Sequence, residues 1–179
     1  MTRTESADRV RLPEHPPSEF RRSAGRFPTG VTVLTCVRDE EPHGMTVNAF
    51  TTVSLDPLLV LAVLKTGSRT TRQVLSGDGF AVTVLSSLQE PAARSFADPV
   101  RARGSAAFST VAHAPAPRTG APVLLGGIAY FDCRVESVHP AGDHTILVGA
   151  VQAFGTLSEE PALLFSRSRL GAEPDPRSP

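Results

Sequence analysis

The 179-residue sequence predicts a mostly antiparallel β protein, a barrel or a sandwich, with two or three short helices. Three observations point there. β-Branched and apolar runs of strand length recur along the chain. Segments with helical punctuation are few and short. Strands and helices do not alternate regularly, which counts against a doubly wound α/β sheet. No internal repeat is present, and a chain of this length is most often one domain.

The elements follow in order. Residues 1–17 are polar, hold Pro13, Pro16 and Pro17, and predict a disordered arm. VTVLTCV (31–37) is a strand, DEEPHG (39–44) carries turn chemistry, and MTVNAFTTVSL (45–55) reads as a second strand. Asp56-Pro57 breaks the chain, and LLVLAV (58–63) is an uninterrupted apolar run suited to a strand buried on both faces. Ser68 can cap a short helix over 69–75, with Gly77 ending it. FAVTVL (80–85) is a strand. LQEPAARSFA (88–97) is a helix with Pro91 in its first turn, where a missing N–H costs least. Residues 98–121, rich in Pro, Gly, Ala and Arg, predict a long surface loop or lid. GGIAYFDCRVESVHP (126–140), the turn 141–143 and HTILVGAVQAF (144–154) form a hairpin, and ALLFSR (162–167) is a last strand. The globular domain is expected over 18–170, with a tail over 171–179.

Composition removes several function classes. Eighteen basic and 18 acidic side chains cancel, so no large cationic field exists for nucleic acid or an anionic membrane. No run approaches the roughly 20 apolar residues that cross a bilayer, and the first 20 residues lack the apolar core of a secretory signal. A cytoplasmic protein is expected. Cys36 and Cys133 sit in apolar strand-like runs and predict two buried, reduced thiols. The five histidines are dispersed, so no metal is expected. Neither GxGxxG after a strand, nor GxxxxGK[ST], nor GxSxG occurs.

Three segments carry chemistry. The first gathers Thr46, Asn48, Thr51, Thr52 and Ser54; alternation puts Thr46, Asn48 and Phe50 on one face. Their donors and acceptors suit the polar edge of a flat heteroaromatic ligand, or simply a solvated strand face. The second is LKTGSRTT (64–71), which joins a strand end to a helix start through Gly67. Lys65, Arg69 and the Ser68 and Thr70 hydroxyls there fit a phosphate, or a plain helix cap beside two solvated cations. The third is Gly142-Asp143-His144, turn residues followed by a histidine at a strand mouth, placed either to meet a ligand ring or to serve the turn.

The ordered set RFPTGVTVLT, GMTVNAFTTVSLDPLLVL, SRTTRQVLSGDGFAVTVLSSLQ, GAPVLLGGIAYFDCRVESVHPAGDHTILVGAV and PALLFSR resembles the flavin reductase-like family. These are the NAD(P)H-dependent reductase components of two-component flavin monooxygenases. The resemblance runs from about Phe20 to Leu170. It implies an FMN-binding split β-barrel with a Greek-key core, a homodimer, no metal and no covalent protein intermediate. It further implies that Gly44, Met45, Thr46, Asn48 and Ala49 line the isoalloxazine ring, followed by Val63, Leu64 and Lys65. Ser68, Arg69 and Thr70 match the segment near the flavin phosphate, and Ser95 and Phe96 the segment near the flavin tail. His144 matches the histidine where nicotinamide stacks on the flavin, and is the candidate catalytic residue.

The activity so implied is hydride transfer from NADH or NADPH to FMN or FAD, with reduced flavin supplied to a separate flavin-dependent monooxygenase. Two other readings stay open: a flavin-binding redox or carrier barrel without NAD(P)H turnover, and a non-redox dimeric barrel holding another planar ligand. The chain departs from the family pattern in three places. Pro57-Leu58 stands where Pro-Pro is frequent. FSRSRL (165–170) replaces a Tyr-containing motif, and ARGSAAF (102–108) replaces an RF…W pattern.

Overall fold

The computed structural model describes residues 16–77 and 79–174. In chain order, α1 (Pro17–Ala24) precedes five strands, β1 (Thr29–Gly30), β2 (Thr32–Arg38), β3 (Glu41–Val47), β4 (Phe50–Leu55) and β5 (Leu58–Lys65). Then come α2 (Arg69–Leu75), β6 (Gly79–Val84), α3 (Glu90–Ala97), β7 (His113–Pro115) and β8 (Pro122–Leu124). A long hairpin of β9 (Ala129–Ala141) and β10 (His144–Thr156) follows, and then a short one, β11 (Leu163–Ser166) and β12 (Arg169–Ala172). Of the expected N-terminal arm, residues 1–15 lie outside the described residues, as do 175–179 of the expected tail.

Seven strands pair in the order β3-β2-β6-β9-β10-β5-β4, every pair antiparallel. The two edges of this sheet, β3 and β4, are consecutive in the chain and only Asn48 and Ala49 separate them. Two residues reach at most about 7 Å, so the sheet must curl until its edges nearly meet. The Ala49 carbonyl accepts from the Val63 N–H at 2.9 Å and stitches that seam to β5. The result is a split barrel, the fold class expected.

The barrel interior holds Leu34, Cys36, Val60, Leu64, Phe80, Val82, Cys133 and Leu147. Burying each large apolar side chain stabilises by about 1.5–3 kcal/mol. A second cluster, with Val33, Leu85, Phe96, Phe108, Leu124 and Leu163, sits outside the sheet under α3 and the segment after it. β2 therefore separates two cores, and its Thr32–Cys36 stretch is buried on both faces. β5 is not: Val60, Ala62 and Leu64 point inward, while Leu59, Leu61 and Val63 remain half-buried on the outside of the single chain.

Three local expectations are corrected. The turn is only Asp39-Glu40, both at positive φ, and Glu41–Gly44 already belongs to β3, because Pro42 and His43 pair with Val37 and Cys36. The 45–55 run is two strands that leave from opposite sheet edges. The segment 98–121 is not wholly superficial. It contains a 3₁₀ turn at Gly104–Phe108 with Phe108 2% exposed, and Ala116 and Ala121 are also buried. Buried Asp132 ties its far end, accepting from the Arg118 N–H and the Thr119 hydroxyl, each at 2.7 Å.

Both cysteines are free and buried, with burial pushing each thiol pKa up to about 12. Among the described residues no helix is long and apolar enough to cross a membrane, and no group of His, Cys, Asp or Glu is arranged to hold a metal.

Candidate functional site

Gly44 starts the site. A Cβ there would lie 2.9 Å from the Phe96 ring and 3.2 Å from Phe108, so only glycine lets α3 press its phenylalanine onto β3. The Thr46 hydroxyl donates to the Ala93 carbonyl at 2.7 Å and fixes the same helix from the next position on that face of β3. Opposite, α2 begins with Ser68, whose hydroxyl accepts from the Thr71 N–H at 3.1 Å. The Thr71 hydroxyl donates back to the Lys65 carbonyl at 3.0 Å, and the Thr70 hydroxyl to the Gly44 carbonyl at 3.2 Å. These bonds lock the strand-to-helix turn against β3. Gly67, at φ +72°, makes that turn possible.

Between β3, this turn, α3 and the β11–β12 hairpin lies a cavity of about 890 Å³. That is at the upper end of the range for small-molecule sites. Met45, Thr46, Asn48, Lys65, Ser68, Arg69, Thr70 and Phe96, all expected from the sequence, line it. Gly44 is not in the lining, but its carbonyl accepts from two residues that are, Thr70 and Arg101. Besides Gly44, five expected residues are not in the lining. Ala49 is at the seam, Val63 is on the outer face of β5, Leu64 is in the barrel core, and Ser95 is on the exposed side of α3. His144 opens β10 directly opposite Lys65, 43% exposed, with its Nδ1 2.8 Å from an Asp143 carboxylate oxygen. The hairpin tip bonds to the cavity's turn through Thr66 N–H to Asp143 carbonyl, 3.0 Å, and the paired Thr66 and Thr145 hydroxyls, 2.8 Å. His144 therefore sits at the rim.

Sequence reasoning missed the cations from the loop after α3, Arg101 and Arg103, and the wall formed by Phe165, Ser168 and Leu170. Arg101 reaches across to donate to the Gly44 carbonyl. Burial and the neighbouring Arg69 lower its pKa, and Asp98 opposes this. His43, on β3, is held below its ordinary value by burial, then by Arg69 and Arg101, with Glu41 pulling the other way. Among the described residues, Lys65, Arg69, Arg101 and Arg103 form no ion pair, and Arg69 Nε is buried without a hydrogen-bond partner. In an otherwise neutral protein such crowding favours an anionic guest. α2, at seven residues, adds little of its own dipole, so the arginines carry this preference.

Residues 24–173 match the family model described as the flavin reductase-like domain. The chain belongs to the flavin reductase-like family. Within it, the chain is 41% identical over 151 residues to an NADH-dependent FAD reductase of Streptomyces globisporus, covering 84% of this chain and 82% of that one. It is 35% identical over 164 residues to the reductase subunit HsaB of a flavin-dependent monooxygenase of Rhodococcus jostii, covering 91% and 82%. Its fold matches the Streptomyces globisporus NADH:FAD oxidoreductase SgcE6, solved in complex with NAD and FAD fragments. The TM-score is 0.84 at 37% identity, covering 91% of this chain and 95% of that one. Relatives in this flavin reductase family are thus NADH-dependent oxidoreductases and monooxygenase reductase components. The cavity suits their cofactor on its own chemistry: apolar Val31, Phe96, Phe165 and Leu170 beside the polar edge of Thr46 and Asn48, and cations with an orphaned guanidinium N–H.

Proposed function

We propose that this chain is an NAD(P)H-dependent flavin reductase that supplies reduced FMN or FAD to a separate flavin-dependent monooxygenase. The observation that carries the reading is the joining, in one cavity, of ring-sized apolar walls to arginines without a counter-ion. When bound, the flavin accepts at N5 a hydride from C4 of NADH or NADPH. The chain's own part is to bind, orient and exclude water. Met45, Thr46 and Asn48 would meet the ring edge, Lys65 and Arg69 the phosphate, and Phe96 the tail. His144, at the rim, would position the nicotinamide. Holding two reactants in register can remove up to roughly 7–11 kcal/mol of barrier, which is why no acid–base pair is needed in the lining.

A homodimer belongs to this reading. The half-buried outer residues of β5, with Val53 and Leu55 of β4 at 51% and 84% exposure, support it as an apolar sheet face needing cover. So does a cytoplasmic location, supported by two free buried thiols. The test is anaerobic mixing with NADH and NADPH in turn, offering riboflavin, FMN and FAD. Bleaching of the flavin's visible absorbance at catalytic protein concentration is expected. Flavin that binds but does not bleach with either nucleotide would turn the reading to a carrier.

A further inference from the structure

The tip of the β9–β10 hairpin is pinned on both sides. Gly142 turns the chain at φ +65°, and His144 pairs with Ala141 in its own hairpin and with Lys65 on β5. The Asp143 carbonyl accepts from the Thr66 N–H at 3.0 Å, and the Thr145 hydroxyl meets that of Thr66 at 2.8 Å. With the backbone held before and after it, only side-chain torsions decide where the Asp143 carboxylate points. It lies 2.8 Å from Nδ1 of His144. That hydrogen bond, then the charge of His144 and, more weakly, that of Lys65, hold the Asp143 carboxyl below its ordinary range, with desolvation opposing. An ionised carboxylate only accepts, so the neutral imidazole carries its proton on Nδ1 and presents a bare lone pair at Nε2. Among the described residues, Nε2 has no hydrogen-bond partner.

We propose that Asp143 is a positioning residue: its carboxylate fixes the His144 tautomer so that Nε2 accepts a hydrogen bond from the carboxamide N–H of the nicotinamide. The inference rests on the proposed reductase function and assigns the histidine's proton, which that reading leaves open. The primary amide is the part of a reduced nicotinamide ring that donates, and a bare imidazole nitrogen is its complementary acceptor. An exposed Asp–His contact contributes little to stability, so its consequence lies in proton placement. Holding the hairpin tip falls to the backbone bonds with β5 and Thr66.

Asp143→Ala and His144→Ala, singly and together, test this. Long-range proton–nitrogen NMR correlation of the histidine rings, in ligand-free protein at alkaline pH, reads the tautomer. The signals lost in His144→Ala assign the ring. The wild-type ring is expected as Nδ1–H, moving to Nε2–H in Asp143→Ala. In steady-state kinetics Asp143→Ala should lower kcat/KM for NADH about three- to tenfold, with flavin dissociation constants within about twofold. Added to His144→Ala, it should cost nothing further, because its effect passes through the imidazole. Asp143→Asn, which keeps an acceptor oxygen, should recover most of the rate. A wild-type proton on Nε2, a tautomer or a rate indifferent to Asp143→Ala, or an equal further loss in the double variant would overturn the inference while leaving flavin reduction intact. A wild-type protein that reduces no flavin would instead overturn the parent reading, whatever the tautomer.

Discussion

His144 stands directly across the β5–β10 ladder from Lys65, so the histidine at the rim and the lysine in the cavity share one cross-strand pair. Their backbones are one strand spacing apart, about 5 Å, and both side chains leave the same face of the sheet. His144→Ala should slow flavin reduction by NADH by roughly tenfold or more while changing flavin affinity little, the pattern of a group that positions the second reactant. Stopped-flow reduction at saturating flavin measures it. Equal rates in the two proteins would remove His144 from the mechanism.

Arg69 has an N–H with no protein partner at the cavity wall. Arg69→Ala should weaken FMN about tenfold or more and riboflavin hardly at all, because only the former brings a phosphate. Fluorescence titration with the two flavins decides this, and an unaltered FMN-to-riboflavin preference would contradict the phosphate role.

His43 on β3 reports on the charges of Arg69 and Arg101. Its folded pKa lies below its ordinary value of 6.5, so the unfolded chain takes up this proton more readily. Stability from His43 is complete above that ordinary value and is lost as pH falls through the lower folded one. A bound phosphate would offset Arg69 and Arg101, while burial and Glu41 stay as they are, so FMN should raise the His43 midpoint more than riboflavin does. An NMR titration of the imidazole reads the shift directly; a downward movement on FMN addition would refute it.

Gly44→Ala drives a methyl group into Phe96 and Phe108. Overpacking of this kind costs about 1–3 kcal/mol, or about 2–4 °C in Tm per kcal/mol for a chain of this size. Calorimetry should show that loss together with weaker flavin binding, since α3 must move off β3. An alanine variant as stable as the parent would mean the helix yields freely.

Cys36 and Cys133, with thiol pKa pushed up to about 12, should resist a water-soluble disulfide reagent in the native protein and react fully after denaturation. Rapid labelling of the folded chain would show that the barrel opens on the reagent's timescale.

Much of the barrel was legible because its strands announce themselves locally. VTVLTCV, FAVTVL and the long 126–154 hairpin need no distant partner to be seen, and Ser68 and Pro91 mark helix starts by cap chemistry. Errors fell where the answer depended on contacts far along the chain. Pro42-His43-Gly44 has turn composition, yet β2 recruits it into the ladder. Nothing between Val47 and Phe50 reveals that two sheet edges meet there. α1 carries no buried residue, and its Arg-rich PSEFRRSA shows no apolar stripe to mark a helix. For the site, the residues of short motifs were within reach. Arg101 and Phe165 were not, since each enters the cavity through tertiary closure, about 30 and 100 residues away from Arg69.

The seven-stranded barrel is complete at Thr156, whereas Phe165, Ser168 and Leu170 come later. On a ribosome adding roughly 5–20 residues per second, the barrel strands all emerge before the wall that encloses the ligand. Premature termination in that interval would leave Lys65, Arg69 and Phe96 in place but the cavity open on the side that Phe165 and Leu170 close.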